Sequence, residues 1–144
     1  MTTPAYVHLA SLEDLPRVRR FYDGWRYRGE VRPEDIVLIA EQDGAIIGAV
    51  RLAPEHGTTV LRGMRVQPGS QRQGIGTRLL ASAGAELKGP CYCIPYAHLT
   101  GFYGHIGFRV LDPASAPDFL AERLAAYRAR EDGNEYLLMH RPAP

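Results

Sequence analysis

The stretch Met64-Arg-Val-Gln-Pro-Gly-Ser-Gln-Arg-Gln-Gly-Ile-Gly-Thr-Arg-Leu-Leu80 leads from a predicted strand, Thr58 to Val66, into a predicted helix, Gly74 to Lys88. The first N–H groups of a helix have no partner inside it, and the helix dipole is positive at that end. Gly74 and Gly76 carry no side chain that would keep an anion away from these amides. The junction therefore predicts a phosphate site, and a diphosphate is the ligand that fits it best.

Two common phosphate loops fit this stretch poorly. A P-loop ends in Gly-Lys followed by Ser or Thr, whereas Gly76 is followed by Thr77 and Arg78. The dinucleotide-binding fingerprint needs a third small residue, and this chain has Leu79 there. In that fingerprint the glycines also follow the strand almost at once, whereas in this chain a long loop separates the strand from Gly74. A third pattern matches better.

Two segments carry a resemblance to a known family. Gln71-Arg-Gln-Gly-Ile-Gly76 resembles the Q/R-x-x-G-x-G/A pyrophosphate loop of the GNAT N-acetyltransferases, and Met64 to Pro68 is similar to that family's strand-to-loop entry. Further along, Gly101-Phe-Tyr-Gly-His-Ile-Gly-Phe108 resembles the second signature of the family, an F/L-Y-x-x-x-G-F run. The order and separation of the two motifs agree with the family.

The predicted element order is β-α-(α)-β-β-β-α-β-α-β-α-β. Asp43-Gly44 predicts a hairpin turn between two of the strands, and Gly63 predicts a bulge inside a third. Hairpins followed by helical crossovers indicate an α/β chain with a mixed sheet and helices on its faces. The resemblance implies the GNAT, or acyl-CoA N-acyltransferase, fold: a mostly antiparallel central sheet flanked by helices, with the parallel strands at Met64–Val66 and Cys91–Ile94 splayed apart. We expect one domain over residues 1–144, with residues 112–134 a helical insertion before the last strand.

The resemblance also implies a reaction, the direct transfer of the acetyl group of acetyl-CoA to a primary amine of a small molecule, peptide or protein. Tyr103 matches the tyrosine of the second signature and is the expected general acid for the coenzyme A thiolate. An ordinary tyrosine pKa of about 10 keeps the phenol protonated at neutral pH. A purely structural role of Tyr103, as core packing, stays open. The residues expected to bind the coenzyme are Met64, Arg65, Val66, Gln71, Arg72, Gln73, Gly74, Ile75, Gly76 and Thr77.

The general base has no match in the sequence. Many family members carry an acid on the strand before the pyrophosphate loop, and Thr58 to Val66 contains none. Glu55 and His56, at the preceding turn, are the candidate bases, with a water relay as the alternative. Tyr96 and Leu99 stand where relatives often have Asn and Ala, so the pantetheine contacts and the acceptor pocket differ from the family pattern.

The acceptor of the family binds against the early helices and the end of the sheet. Here that region contains Trp25, Arg26, Tyr27, Arg28 and Glu30. Aromatic and basic groups together suit an acceptor that carries a carboxylate or a phosphate. The helical insertion is expected either to cover the acceptor site or to form a homodimer contact.

Composition limits the remaining functions. The 17 Lys and Arg against 16 Asp and Glu give a net charge of +1, without the basic excess typical of nucleic-acid binding. Cys91 and Cys93 lack the spacing of a metal site, so we predict buried small hydrophobes and no metal. No signal peptide and no apolar stretch of about 18 residues is visible, so we expect no membrane partner and a cytoplasmic location.

Two alternative functions stay open. One is a non-catalytic, regulatory acyl-CoA-binding domain on the same fold, which would bind the coenzyme without turnover. The other is a toxin-like enzyme that acts on charged transfer RNA, and the near-neutral charge of the chain disfavours it.

Overall fold

The computed structural model describes residues 3–27 and 29–144, with Arg72 described in its backbone only. Within these residues the strands are β1 (Tyr6–Leu9), β2 (Ile36–Gln42), β3 (Ala45–Glu55), β4 (Thr58–Val66), β5 (Cys91–Cys93), β6 (Arg109–Val110) and β7 (Met139–Arg141). They form one sheet in the order β1-β2-β3-β4-β5-β7-β6. Only β4 and β5 are parallel; the other neighbouring pairs are antiparallel. The predicted mostly antiparallel mixed sheet is confirmed.

The α-helices of the described residues are α1 (Leu15–Asp23), α2 (Ile75–Glu86), α3 (Thr100–Gly104) and α4 (Asp118–Arg128). A short 3-10 turn precedes each of them, over residues 12–14, 68–73, 97–99 and 113–115. None of the helices described is both long enough and apolar enough to cross a bilayer.

Two tight turns connect the three central strands β2, β3 and β4. Asp43 and Gly44 have φ of 52° and 78°, and His56 and Gly57 have φ of 49° and 77°. Positive φ at both central residues is the type I′ geometry, whose twist matches that of the strands it connects. The hairpin predicted at Asp43-Gly44 is confirmed, and the second turn fixes where β4 begins.

Helices cover both faces of the sheet, because successive strand residues point to opposite sides. On one face Leu15, Val18 and Tyr22 of α1 pack against Val37, Ile39 and Ala49. The other face is covered by α2, and its core residues are Leu38, Ala40, Val50, Ile75, Leu79, Leu80 and Ala83. The protein thus has the layered arrangement that the mixed sheet requires.

Gly48 on β3 lets α2 approach the sheet closely. A Cβ atom at Gly48 would lie 3.0 Å from Leu79 Cδ1 and 3.3 Å from Ile75 Cγ2. Ile75 and Leu79 are fully buried there. The first turn of α2 is therefore held against the middle of the sheet, beside the end of β4.

The last strand, β7, begins only at Met139. Its partner β5 ends at Cys93, and two residues further along Pro95 has no N–H to continue the ladder. The pairing resumes as a single bridge between Tyr96 and Tyr136. The chain after β5 thus stays hydrogen-bonded to residues 135–137 and forms a wall of the cleft described below.

Candidate active site

A cleft of about 970 Å³ runs along β4 on the side of β5. One wall is β4 itself from Val60 to Val66, and the opposite wall is formed by residues 93–96 and by α3. The turn after α1 and the end of α4 close one end, and the loop before α2 closes the other. The cleft is therefore long and has two ends of different composition.

The cleft exists because the two parallel strands separate. β4 and β5 pair only at Thr59–Cys91 and Val60–Tyr92. Beyond Val60, β4 remains paired with β3 on its other side, and its free edge faces the cleft. Such an edge offers unpaired main-chain N–H and C=O groups to an extended ligand. The predicted splayed pair is confirmed.

A β-bulge at Gly63 shapes the free edge. The register between β3 and β4 shifts there, and Gly63 has a φ of +67°. The Tyr22 hydroxyl donates a hydrogen bond to the Gly63 carbonyl oxygen at 2.7 Å. A Cβ atom on Gly63 would lie 2.9 Å from the Tyr22 hydroxyl oxygen and 3.0 Å from that of Tyr27. Both the conformation and the space require glycine, and the bulge predicted from the sequence is confirmed.

The other end of the cleft is the start of α2. Gly74 is the N-cap residue, with φ of 71° and ψ of 18°, and no side chain caps the helix. The N–H groups of the next three residues, 75–77, lie too close to the helix start to find a carbonyl acceptor within the helix. Gln71 Nε2 donates to the Val66 carbonyl oxygen at 3.3 Å and ties the loop to β4. The result is an uncapped helix N-terminus beside a free strand edge.

The sequence of this region identifies its family. A sequence model of the Acetyltransferase (GNAT) domain matches residues 33–110, which is more than half of the chain. The chain belongs to the GNAT acetyltransferase family. No curated protein matches the sequence significantly.

Solved structures with low sequence identity share the GNAT fold. A GNAT-family acetyltransferase from Staphylococcus aureus superimposes with a TM-score of 0.65 at 14% identity, over 96% of this chain and 99% of that chain. The ribosomal-protein-S18-alanine N-acetyltransferase of Escherichia coli gives 0.64 at 18% identity, over 97% and 94%. N-acetylglutamate synthase from Neisseria gonorrhoeae, complexed with coenzyme A and N-acetyl-glutamate, gives 0.64 at 18% identity and covers 100% of this chain but 36% of its own. This chain therefore spans about a third of that enzyme's length, and at such identities the likeness establishes the fold.

The residues predicted to bind the coenzyme lie at the end of β4, in the loop after it and in the first turn of α2, but the Arg65 guanidinium extends to the ring of Tyr27, 5.9 Å from its centroid. Those that line the cleft are Met64, Arg65, Val66, Gln71 and Gly76. Ile75 is fully buried and anchors the helix in the core, whereas Gln73, Gly74 and Thr77 are exposed. The side chain of Arg72 lies outside the described part of the protein. Because its side chain is buried, Ile75 can contact a ligand only through its main chain.

Tyr103 belongs to the core and to the cleft wall at once. Its side chain is 5% exposed, lines the cleft, and packs edge-on against the rings of Phe102 and Phe108. Burial raises the pKa of Tyr103 above its ordinary value, the adjacent Cys93 adds to the rise, and Arg65 opposes it. The phenol therefore keeps its proton at neutral pH.

Glu55 and His56, the predicted bases, do not line the cleft. The Glu55 carboxylate accepts hydrogen bonds from Arg123 at 2.6 and 3.2 Å. Burial alone would raise the pKa of Glu55, but Arg123 and Arg62 outweigh burial and hold that pKa below its ordinary value. His56 is exposed in the β3–β4 turn, with its ring 4.4 Å from that of Phe119. The structure thus places Glu55 between two arginines, and the role of either residue as a base stays a prediction.

The end of the cleft opposite α2 contains groups from distant parts of the chain. Of the residues that the sequence suggested, Arg26 and Tyr27 line it and Trp25 and Glu30 do not, whereas Arg28 lies outside the described residues. Tyr27 is held in place because its ring stacks on Tyr22 at 4.6 Å and its hydroxyl accepts a hydrogen bond from Arg51 Nε at 3.0 Å. These contacts make Tyr27 a fixed part of the wall.

The helical insertion supplies residues that sequence reasoning missed. Leu120 and Leu124 of α4 are buried against the sheet, and Arg123, Tyr127 and Arg130 line the cleft. The spacing of four and then three residues is the helical signal that could have identified this second face. The insertion therefore forms part of the cleft wall, and the two roles expected for residues 112–134 stay predictions.

Both cysteines lie in the core. Cys91 and Cys93 are free and buried, which confirms the prediction that they act as small hydrophobes. Burial raises the pKa of the Cys91 thiol to about 12 and raises that of Cys93 well above its ordinary value. Cys93 also lines the cleft, where its thiol stays protonated at neutral pH.

Proposed function

We propose that this GNAT protein is an N-acetyltransferase that uses acetyl-CoA as the donor and a primary amine as the acceptor. The observation that carries the proposal is the free edge of β4, which leads along one continuous cleft to the uncapped start of α2. An extended pantetheine chain suits the first feature, and a diphosphate suits the second. Neisseria gonorrhoeae N-acetylglutamate synthase, which shares the fold, was crystallised with coenzyme A.

The coenzyme would bind mainly through the main chain. The amides of residues 72–77 would hold the diphosphate, with no side chain at Gly74 or Gly76 in the way. Pantetheine would lie along Met64 to Val66 as an added strand. A main-chain N–H near Met64 would donate to the thioester carbonyl oxygen and stabilise the negative charge that develops there during attack.

The chemical step is a direct acyl transfer. The neutral amine nitrogen attacks the thioester carbonyl carbon, a C–N bond forms, and the C–S bond of the tetrahedral intermediate breaks. The nitrogen loses one proton to water or to a base, and the sulfur leaves as a thiolate. Tyr103 is the proposed proton donor to that thiolate, because it lines the cleft and a phenol carries its proton at neutral pH.

The state of the cysteines supports direct transfer over an acetyl-cysteine intermediate. Within the described residues, Cys93 is the cysteine that lines the cleft. A cysteine acts as a nucleophile through its thiolate, and burial raises the pKa of Cys93 well above its ordinary value. The amine of the acceptor is therefore the nucleophile that we propose.

The proposal is tested first by coenzyme binding. A ligand bound only by the native state stabilises it by about 2.7 kcal/mol at 100 times its Kd. For a chain of this size we expect acetyl-CoA to raise Tm by roughly 8 °C. A thiol-release screen over small amines, amino acids, polyamines, aminoglycosides and peptides should then identify an acceptor. An unchanged Tm at saturating acetyl-CoA would contradict the proposal, and binding without turnover across the panel would favour the non-catalytic alternative.

A further inference from the structure

Positive charge is concentrated in the cleft. Among the described residues that line it, the acidic side chain is Asp132. The basic side chains that line it are Arg26, Arg62, Arg65, Arg123 and Arg130. The whole chain has a net charge of only +1. The cleft therefore carries an excess of positive charge that the rest of the protein does not share.

Two of these arginines are held by one carboxylate. Arg123 Nη2 lies 2.6 Å from Glu55 Oε1, and Arg62 Nη1 lies 3.6 Å from Glu55 Oε2. The side chains of Arg62, Glu55 and Arg123 are 25%, 11% and 20% exposed. Two cations share one anion in a largely buried group, which leaves one positive charge uncompensated. Such a group favours the binding of a further anion on its open side.

The open side of this group is the cleft. Arg62 and Arg123 line the cleft and Glu55 does not, so the carboxylate contacts the two guanidinium groups on the side away from the cleft. The ring of Phe119, 5.5 Å from the Arg123 guanidinium carbon, restricts Arg123 further. A guanidinium that is fixed in this way loses little conformational entropy when it binds a ligand.

Arg130 adds a third cation with no carboxylate partner among the described residues. Its guanidinium lies over the ring of Tyr127, with the carbon 4.1 Å from the ring centroid. The nearby carboxylate of Asp132 is already engaged, since it accepts hydrogen bonds from the Tyr136 hydroxyl at 2.6 Å and from the Asn134 N–H at 2.9 Å. Arg130 therefore forms no ion pair among the described residues, and the negative charge of Asp132 also lies in the cleft wall.

These cations lie away from the proposed diphosphate site. Arg62 precedes the bulge on β4, whereas the phosphate loop is tied to Val66, four residues further along. Four strand residues span about 13 Å. Arg123 and Arg130 belong to the helical insertion at the far end of the cleft. The phosphates of the coenzyme would therefore not contact these three arginines.

We propose that the acceptor carries an oxyanion, either a carboxylate or a phosphate monoester, which binds to Arg62, Arg123 and Arg130. This inference rests on the proposed acetyltransferase function and names the class of acceptor, an anionic primary amine of small-molecule size. A guanidinium group binds both kinds of oxyanion through paired N–H donors. The same cations lower the pKa of the bound ammonium group and so favour the neutral, nucleophilic amine.

Matched acceptor pairs test the proposal through thiol release from acetyl-CoA. One pair is β-alanine and β-alaninamide, which isolates a carboxylate; the other is O-phosphoethanolamine and ethanolamine, which isolates a phosphate. We expect kcat/KM to be about 10- to 100-fold higher for the anionic member of at least one pair. The pair that shows the difference identifies the oxyanion.

A matched variant assigns the preference to the arginines. Arg123→Gln should lower kcat/KM for the anionic acceptor about tenfold and leave the neutral member nearly unchanged, whereas Arg123→Lys should restore part of the preference. Arg109→Gln, at an exposed site on β6 outside the cleft, is the control and should behave as wild type. The Tm shift with acetyl-CoA alone reports folding and coenzyme binding of every variant.

The outcomes separate this inference from the function on which it rests. If acetyl-CoA raises Tm and neither anionic acceptor reacts faster than its neutral partner, the inference is wrong and the proposed coenzyme site stands. A preference that survives in Arg123→Gln and in Arg62→Gln would also overturn it. If acetyl-CoA leaves Tm unchanged, both proposals fail.

Discussion

The two ends of the cleft are built differently. The α2 end consists of main-chain groups from one continuous stretch, residues 64–77, and glycines keep it open. The opposite end consists of side chains from the turn after α1, from β4 and from α4, held by Glu55 and Arg51. A main-chain site depends on local conformation, whereas a side-chain site depends on tertiary packing. The first end therefore suits a ligand common to a whole family, and the second end is free to differ between its members.

The largest effect is expected at the main-chain end, from Gly76→Glu. A Cβ atom at Gly76 would point towards Phe102 and Val66, at 3.6 and 3.7 Å, so a longer acidic side chain would enter the cleft. Its negative charge would repel a diphosphate at the helix start, and we expect the Kd for acetyl-CoA to rise by more than about 100-fold.

The measurement is isothermal titration calorimetry, with Gly89→Glu as the control, because a Cβ atom at Gly89 meets no atom within 4 Å. Far-UV circular dichroism should show both variants folded. If Gly76→Glu bound acetyl-CoA like the wild type, the diphosphate would have to lie elsewhere.

The next largest effect is expected between the two ends, at Tyr103. Tyr103→Phe removes the proposed proton donor and keeps the ring that packs with Phe102 and Phe108. We expect kcat to fall about 100-fold while the Kd of acetyl-CoA changes less than about twofold. Steady-state kinetics and calorimetry measure the two quantities, with Tyr6→Phe, at an exposed residue of β1, as the control. An unchanged kcat would leave Tyr103 with a packing role alone.

The smallest effect is expected at the side-chain end, from Glu55→Gln, which removes the charge that Arg123 and Arg62 share. At pH 7 we expect a loss of roughly 1–2 kcal/mol in the free energy of unfolding, as for a partly exposed charged hydrogen bond. The pKa of Glu55 is lowered in the folded protein, so its stabilising contribution is present above the unfolded-state pKa of about 4.3. The contribution decreases as the pH falls below that value and is lost below the folded-state pKa.

Urea unfolding of wild type and Glu55→Gln between pH 7 and pH 3 measures the difference in the free energy of unfolding. This difference should become smaller as the pH falls. The kinetics of the same variant test whether Glu55 is the general base. If Glu55 positions Arg123, Glu55→Gln should change KM for the acceptor more than kcat, whereas a fall in kcat of about 100-fold would favour Glu55 as the general base.

The contrast between the ends also explains how much could be predicted from the sequence. The splayed strands were implied by the family resemblance. The bulge at Gly63 and the helix start at Gly74 follow from glycine placement and motif order within one short stretch. These features need no knowledge of distant residues. The fold and the geometry of the α2 end of the cleft were therefore predictable.

The opposite end of the cleft was not predictable to the same degree. Arg62 and Arg123 are 61 positions apart in the sequence, and only the packing of α4 on Val60 and Leu138 brings them to one carboxylate. Glu55, predicted as a candidate base from its place at the turn before the strand, forms ion pairs with both arginines. Sequence spacing does not reveal such partners, because the side chains meet across different elements.

The central claim is that main-chain donors at the start of α2 hold the diphosphate of the coenzyme. Titration of ¹⁵N-labelled protein with coenzyme A, followed by amide chemical shifts, tests it most directly. We predict that the largest shift changes fall on Gly74, Ile75, Gly76 and Thr77, with smaller changes along Met64 to Val66. Saturating coenzyme A that left residues 74–77 unshifted, while amides elsewhere moved, would contradict the account.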